Sequence, residues 1–368
     1  MKIGFAVYGG LDNTSGGFHY DRRLVEQLRA RGDTVEVIDL PWPSYPRQFL
    51  HNARPSIHRR LAGDFDVVLQ DELCHPSLFR INHRLGRARP VVSVVHHLTS
   101  SEARGSLAQG LYRQVERAYL ATVDGAICNS ATTAASVTAL ADVPTQVAPP
   151  AGDRFEPDVD RATVRERART DPFHVLFLGN LVPRKNVETL LRAVAGLSPP
   201  PEVTIVGDET VEPDYTRRLR AAIDELGLDA AVTLTGRLPD DAVAAHLARA
   251  HLLVVPSEYE GFGIVYLEAM GFGVPPVATT AGGASEFVTD GENGRLVPPD
   301  DPKAIARVVE SLRTDRDRLE RLSLAALDRY AEHPTWEESM AGAREFVAAV
   351  AESNQSAPAA SSGGLVDG

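Results

Sequence analysis

Residues 254–270 read Val-Val-Pro-Ser-Glu-Tyr-Glu-Gly-Phe-Gly-Ile-Val-Tyr-Leu-Glu-Ala-Met. The order is a strand end, a polar turn with two glycines, and a helix. Bare amides at the start of such a helix can hold a phosphate or sugar hydroxyls, and Gly261 and Gly263 let a ligand come close to the backbone. Glu260 stands at the mouth of the turn and Glu268 inside the helix. With the helix beginning near Phe262, Glu268 is about 9 Å further along the axis at ~1.5 Å per residue. Carboxylates so separated suit two diols on one long ligand, and a nucleotide sugar carries one on its ribose and one on its sugar.

Outward from this stretch, apolar runs alternate with amphipathic ones, the pattern of parallel α/β domains. Ile3–Val7, Thr34–Leu40, Asp66–Leu69, Val91–Val95 and Gly125–Cys128 make one doubly wound unit, with a first helix predicted over Asp21–Arg31. Residues 148–172 hold four prolines and many charges and read as an interdomain linker. Strands resume at His174–Leu178, Glu202–Val206, Ala231–Leu234, Leu252–Val255, Val274–Ala278 and Gly294–Val297, followed by helices over Pro302–Thr314, Arg316–Ala331 and Trp336–Glu352. The predicted fold class is α/β, with two Rossmann-like doubly wound parallel-sheet domains facing a central cleft. The predicted boundaries are 1–150 for an acceptor domain, 151–172 for the linker, 173–332 for a nucleotide-sugar domain, 333–352 for a helix returning to the first domain and 353–368 for a disordered tail.

Composition bounds the function. The 368 residues are 43% hydrophobic and 24% charged, with no apolar run near the ~20 residues that span a bilayer. The N-terminus runs directly into a strand without a cleavage site, and Cys74 and Cys128 are too few for a disulfide framework or a Cys-based zinc site. A soluble protein of a reducing, cytoplasmic compartment is expected. The first 150 residues carry 16 Lys+Arg against 14 Asp+Glu, and the rest carry 22 against 36. A net charge of −12 speaks against nucleic acid as a partner. Between Leu40 and Gly63 there is no acid; Arg47, Arg54, Arg59 and Arg60 alternate there with Trp42, Tyr45, Phe49, Leu50 and Ile57. That stretch is either an ordinary solvated loop or a surface that rests on the inner face of an anionic membrane or receives a phosphate-bearing acceptor such as a polyprenyl carrier.

The Glu-x7-Glu spacing of Glu260 and Glu268 within PSEYEGFGIVYLEAM resembles the signature of glycosyltransferase family 4, retaining enzymes of GT-B fold that use nucleotide-sugar donors. FLGNLVPRKNVETLL, GGASEFVTDGENGRLVPPDD and APPAGDRFEP are similar to further segments of that family, in matching order over about residues 1–350. The resemblance implies that Glu268 binds the ribose diol, that Glu260 binds the transferred sugar, and that amides of Gly261, Phe262, Gly263 and Ile264 meet sugar and phosphate. It implies that Lys185 neutralises the departing diphosphate, a fixed cation lowering that barrier without metal. The family's usual Arg after the first Gly of this loop is Asn180 here, which leaves Arg184 as the substitute cation. Gly16 and Gly17, in GGLDNTSGGF, resemble the family's diphosphate-facing turn, and base recognition falls to the loops around Gly207, Arg237 and Leu238. His96 matches the active-site His at a strand's carboxyl end, where open sheets place ligands, and His97 stands beside it on the acceptor side.

Three other readings stand next to this one. Asp39, at the end of the second predicted strand, sits where a dinucleotide-binding fold places its ribose acid, although G-x-G-x-x-G is lacking. A GT-B sugar-nucleotide epimerase would need no acceptor, and a noncatalytic nucleotide-sugar-binding protein is compatible with Asn180. The triplets Asp64-Phe-Asp66 and Asp158-Val-Asp160 fall at a strand start and in the linker, so neither metal nor any other cofactor is expected, only the sugar donor as co-substrate and a glycan or lipid-linked acceptor. The sequence carries no reading of oligomeric state.

Overall fold

Short runs of Val, Ile, Leu and Phe that are buried on both faces can only be the inner strands of a covered parallel sheet. The computed structural model, which describes residues 1–13, 15–85, 89–101 and 106–355, places them so. In the first domain β1 (Lys2–Tyr8), β2 (Thr34–Leu40), β3 (Val67–Asp71), β4 (Val91–Val95), β5 (Gly125–Cys128) and β6 (Thr145–Val147) lie in the order β2-β1-β3-β4-β5-β6. In the second, β7 (His174–Leu178), β8 (Glu202–Val206), β9 (Val232–Gly236), β10 (Leu252–Val254), β11 (Pro276–Thr279) and β12 (Arg295–Val297) lie in the order β12-β11-β10-β7-β8-β9. Every pairing within these sheets is parallel. Each sheet's order reverses direction, and the crevice at that switch point is where such folds hold ligands.

The differences from expectation have local causes. The first helix starts at Gly16, not Asp21, because Ser15 caps it by accepting from the Phe18 amide. Gly16 and Gly17 therefore open a helix and are not a turn ahead of it. β6 escaped the reading because three exposed or half-exposed residues beside Pro144 show no strand pattern. The expected linker is folded in its second half: Arg161–Arg167 is helical, Val164 is buried, and the Arg167 guanidinium donates to the carbonyls of Phe272 and Gly273 at 2.8 and 2.6 Å. The last helix runs from Trp336 to Gln355, three residues beyond its predicted end; residues 356–368 of the expected tail lie outside the described residues. Among the described residues no helix is long and apolar enough to cross a membrane.

The helix Trp336–Gln355 packs on the first domain. Trp336, Met340, Ala343 and Val347 join Ile3, Phe5, Leu24 and Val92 in one buried cluster, and Arg344 pairs with the Asp33 carboxylate at 2.6 Å. The second domain's chain thus supplies part of the first domain's core. Contacts also cross the cleft: Glu286 caps the helix Ala131–Thr138, accepting from the amides of Ala131 and Thr132 at 2.8 and 2.7 Å. Truncating Trp336, which is 2% exposed, removes a large aromatic from that core. Trp336→Ala is expected to destabilise the first domain by about 3–5 kcal/mol, the usual range for Trp to Ala in a core; an unchanged urea unfolding profile would show the helix to be an appendage.

Candidate functional site

Loops leaving the carboxyl ends of both sheets enclose one cavity of about 690 Å³. Every residue named above as a catalytic or donor-binding candidate lines it, as does His97. Gly179 and Asn180 follow β7, Gly207 follows β8, Arg237 and Leu238 follow β9, and Glu260 lies beyond β10; from the other side come the helix start at Gly16, Asp71 at the end of β3 and His96 after β4. Arg47, Arg54, Arg59 and Arg60 are exposed and do not line the cavity, and neither does Asp39.

Charge is concentrated at Glu260. Its backbone is held by the neighbouring loop, the Glu260 amide donating to Ala281 O and the Gly283 amide donating to Glu260 O. Its Oε1 accepts from Lys185 Nζ at 2.5 Å and from Ser257 Oγ at 2.6 Å, with Arg184 Nη1 at 3.4 Å. Glu260 is 7% exposed, so burial alone would push its carboxyl up; the charges of Lys185 and Arg184 outweigh burial and hold it at about 2. Burial pulls the Lys185 ammonium below its ordinary value while the ionised Glu260 resists this. Arg184 also donates to Tyr259 O at 2.6 Å, so its guanidinium lies beside Lys185 on the cavity wall. Ser257 had no sequence signal beyond its place three residues before Glu260.

Glu268 has a different environment. The helix begins at Ile264, two residues later than predicted, so Glu268 lies about 6 Å along it at ~1.5 Å per residue. Gly263 is the cap, at φ 93, and a side chain there would strike the Tyr266 ring, so glycine is required by the turn itself. Glu268 is 3% exposed and burial lifts its carboxyl to about 7. Its cationic neighbour is Arg154, with Nη1 at 3.8 Å from Oε1, and Oε2 has no hydrogen-bond partner. Arg154 is itself held by Asp240 at 2.5 Å. Neither Arg154 nor Asp240 was legible: one lies in the linker, the other heads the helix Asp240–Arg249, and only the fold brings them to Glu268.

The first domain contributes His96, 7% exposed, whose Nε2 lies 3.0 Å from Asp21 Oδ1. Gly17 lies flat against the imidazole; a Cβ there would meet the ring at 3.1 Å. Across the cleft, a Cβ on Gly261 would meet His96 O at 2.2 Å, so glycine is needed at 261 for the opposite domain, not only for a ligand. The Ser130 hydroxyl donates to Gly261 O at 3.0 Å and reinforces that contact.

With this geometry in view, comparisons with known proteins point one way. Residues 158–329 match the model of glycosyl transferases group 1, and residues 14–153 that of glycosyltransferase family 4. A GDP-mannose-dependent alpha-(1-6)-phosphatidylinositol monomannoside mannosyltransferase of Mycolicibacterium smegmatis is 37% identical over 204 residues, 52% of each chain. The chain spans about half the length of the curated relatives it matches. Among solved structures, sucrose-phosphate synthase from Thermosynechococcus elongatus superposes with a TM-score of 0.81 at 22% identity, covering 96% of this chain and 99% of that one. Anabaena Alr3699/HepE, in complex with UDP-glucose, gives 0.73 at 20% identity over 96% and 100%. At such identities the likeness is one of fold.

The buried ion cluster predicts an asymmetry. Glu260→Gln leaves two cations facing each other and is expected to destabilise the second domain by about 3–5 kcal/mol. Lys185→Met leaves Glu260 with Arg184 and Ser257 and is expected to cost less than half of that. Urea unfolding of both variants checks the order; equal losses would mean that Arg184 does not share the carboxylate.

Proposed function

Because the chain belongs to the group 1 glycosyl transferases, with the GT-B fold, we propose that it moves a sugar from a nucleoside diphosphate to an acceptor hydroxyl with retention of anomeric configuration. One observation carries this reading: Lys185, Arg184, Glu260 and Glu268 converge on a single cavity between the two sheets. Breaking the anomeric bond leaves negative charge on the departing diphosphate, and preorganised cations lower that barrier. Lys185 and Arg184 supply two, the second standing in for the arginine that Asn180 replaces. Glu260 holds both cations in place and offers its remaining oxygen to the transferred sugar. Glu268, whose Oε2 lacks a donor, takes the ribose diol. Front-face attack, with the departing phosphate drawing off the acceptor proton, needs no protein nucleophile.

A lipid-linked acceptor has support on the surface of the first domain. Trp42, Leu50, Leu107 and Leu111 are 51, 63, 91 and 62% exposed, with Arg47, Arg54 and Arg113 exposed among them. Exposed apolar side chains interspersed with arginines suit an anionic membrane surface. The M. smegmatis relative is named for a phosphatidylinositol monomannoside acceptor.

A thermal-shift screen of UDP-, GDP- and ADP-sugars identifies the donor, since a ligand of the folded state raises the midpoint. Lys185→Ala and Glu268→Ala are each expected to lower turnover with that donor more than about 100-fold; near-normal turnover in both would reject the assignment. The pH dependence has a definite sign. A diol donates to the ionised carboxylate, and the free Glu268 carboxyl is lifted to about 7, so donor binding below that pH must first remove a proton. Donor Kd is expected to rise with each pH unit below 7, approaching about tenfold per unit, and to lose this slope in Glu268→Gln. Titrations from pH 5.5 to 8.5 measure it. Leu107→Asp with Leu111→Asp is expected to reduce sedimentation with phosphatidylglycerol vesicles; unchanged binding would detach this surface from the acceptor reading.

A further inference from the structure

The donor chemistry leaves Asp21, Asp71 and Glu72 unused as buried acids around His96, and the first two face its ring. Asp21, on the helix Gly16–Ala30, is 0% exposed, and Asp71, the last residue of β3, is 1% exposed. His96 Nε2 lies 3.0 Å from Asp21 Oδ1 and 3.8 Å from Asp71 Oδ2, and ligand atoms of the three side chains all fall within 4.8 Å of one another. Asp21 Oδ2 has no donor, whereas Asp71 Oδ1 accepts from the Leu73 amide at 2.7 Å. Two fully buried carboxylates this close cannot both be ionised, because each desolvated charge repels the other. A single proton held between them removes the repulsion and satisfies the orphaned oxygen. Burial pushes both carboxyls up, which favours the shared proton, and the 3.0 Å approach of His96 to Asp21, against 3.8 Å to Asp71, makes Asp21 the acceptor.

Resting on the glycosyl-transfer reading of the cavity, we infer that Asp21 is a positioning residue that accepts the Nε2 hydrogen of His96 in a hydrogen bond, leaving Nδ1 as the ring nitrogen available to a sugar or acceptor hydroxyl. The geometry around the ring fits this. Gly17 packs on one side, and Tyr20 meets it edge-on with centroids 5.1 Å apart, so the imidazole cannot turn over to exchange its nitrogens. Trp336 in turn packs edge-on against Tyr20 at 5.5 Å, so the returning helix braces the ring from behind. An acid that fixes one tautomer of a histidine decides which hydrogen bond the histidine can offer, a choice the histidine cannot make alone.

Nitrogen-15 spectra of the histidine side chains test the tautomer without any substrate, the His96 signal being identified by its loss in His96→Gln. The wild type is expected to carry its hydrogen on Nε2. Asp71→Asn, whose amide mimics a protonated carboxyl, is expected to keep that tautomer, and Asp21→Asn, whose amide can donate to Nε2, to move the hydrogen to Nδ1. In transfer assays Asp21→Asn is expected to lower kcat about 10- to 100-fold, on the scale of losing a residue that orients a functional histidine, with donor KM within about twofold. The same change in a His96→Ala background is expected to cost nothing further. An Nδ1 hydrogen in the wild type, additive losses in the double variant, or one equivalent of a divalent metal that copurifies and is lost in Asp71→Asn would each overturn the assignment. Should transfer itself not occur, the spectra still decide the tautomer, so the two failures are distinguishable.

Discussion

A carboxylate that two cations share, in the loop after β10, organises the second domain's half of the cleft. Glu260 pairs with both Lys185 and Arg184, and it ties the loop after β7 to the loop after β10. The amide of Glu258 donates to Arg184 O, so backbone and side chains close the same join. Without the carboxylate, two positive groups on a buried wall would repel each other and the loops would part. With it, the two cations are held together on one wall. Under the proposed glycosyl transfer these cations stand in place before a diphosphate arrives.

The second requirement is that both domains lie close enough for the first to reach the same cavity. Gly261 makes this possible because His96 O occupies the space a side chain would fill. The residue after the shared carboxylate is thus fitted to the opposite domain, and the carboxylate and the imidazole end up on one cavity. Ser130 and Glu286 add polar contacts across the same gap, while the helix Trp336–Gln355 fastens the chain's end to the first sheet. Closure and chemistry are therefore set by adjoining residues: what holds Gly261 against His96 also fixes the distance from Glu260 to the first domain.

Much of this was legible because the information was local. Seven-residue spacing between two acids, glycines at a strand-to-helix turn and a Lys in a loop after an apolar strand are all contained in short windows, and strands such as Val91–Val95 and Glu202–Val206 fell where their apolar runs stood. What stayed hidden depends on contacts between distant segments. Arg154 and Asp240 are 86 residues apart, and nothing near either of them points to Glu268. Asp21 stood only as the predicted first residue of a helix; the helix that in fact begins at Gly16 carries it beneath His96, 75 residues away. The linker misled for the same reason, since the partners of Arg167 are carbonyls 81 to 106 residues on.

The cleft's two walls carry opposite arrangements of charge, and this follows from what each buries. On the second domain's wall, Lys185 and Arg184 keep Glu260 ionised; on the first domain's wall, burial pushes Asp21 and Asp71 up, so that the pair keeps a proton. A group held ionised acts through a fixed field, whereas a group held neutral acts through the hydrogen it presents. Under glycosyl transfer the leaving group, which gains charge, faces the first kind of wall, and the hydroxyls, which need orientation, face the second. Under the same proposal Arg184, set against the Glu260 carboxylate on the cavity wall, supplies the cation that Asn180 does not.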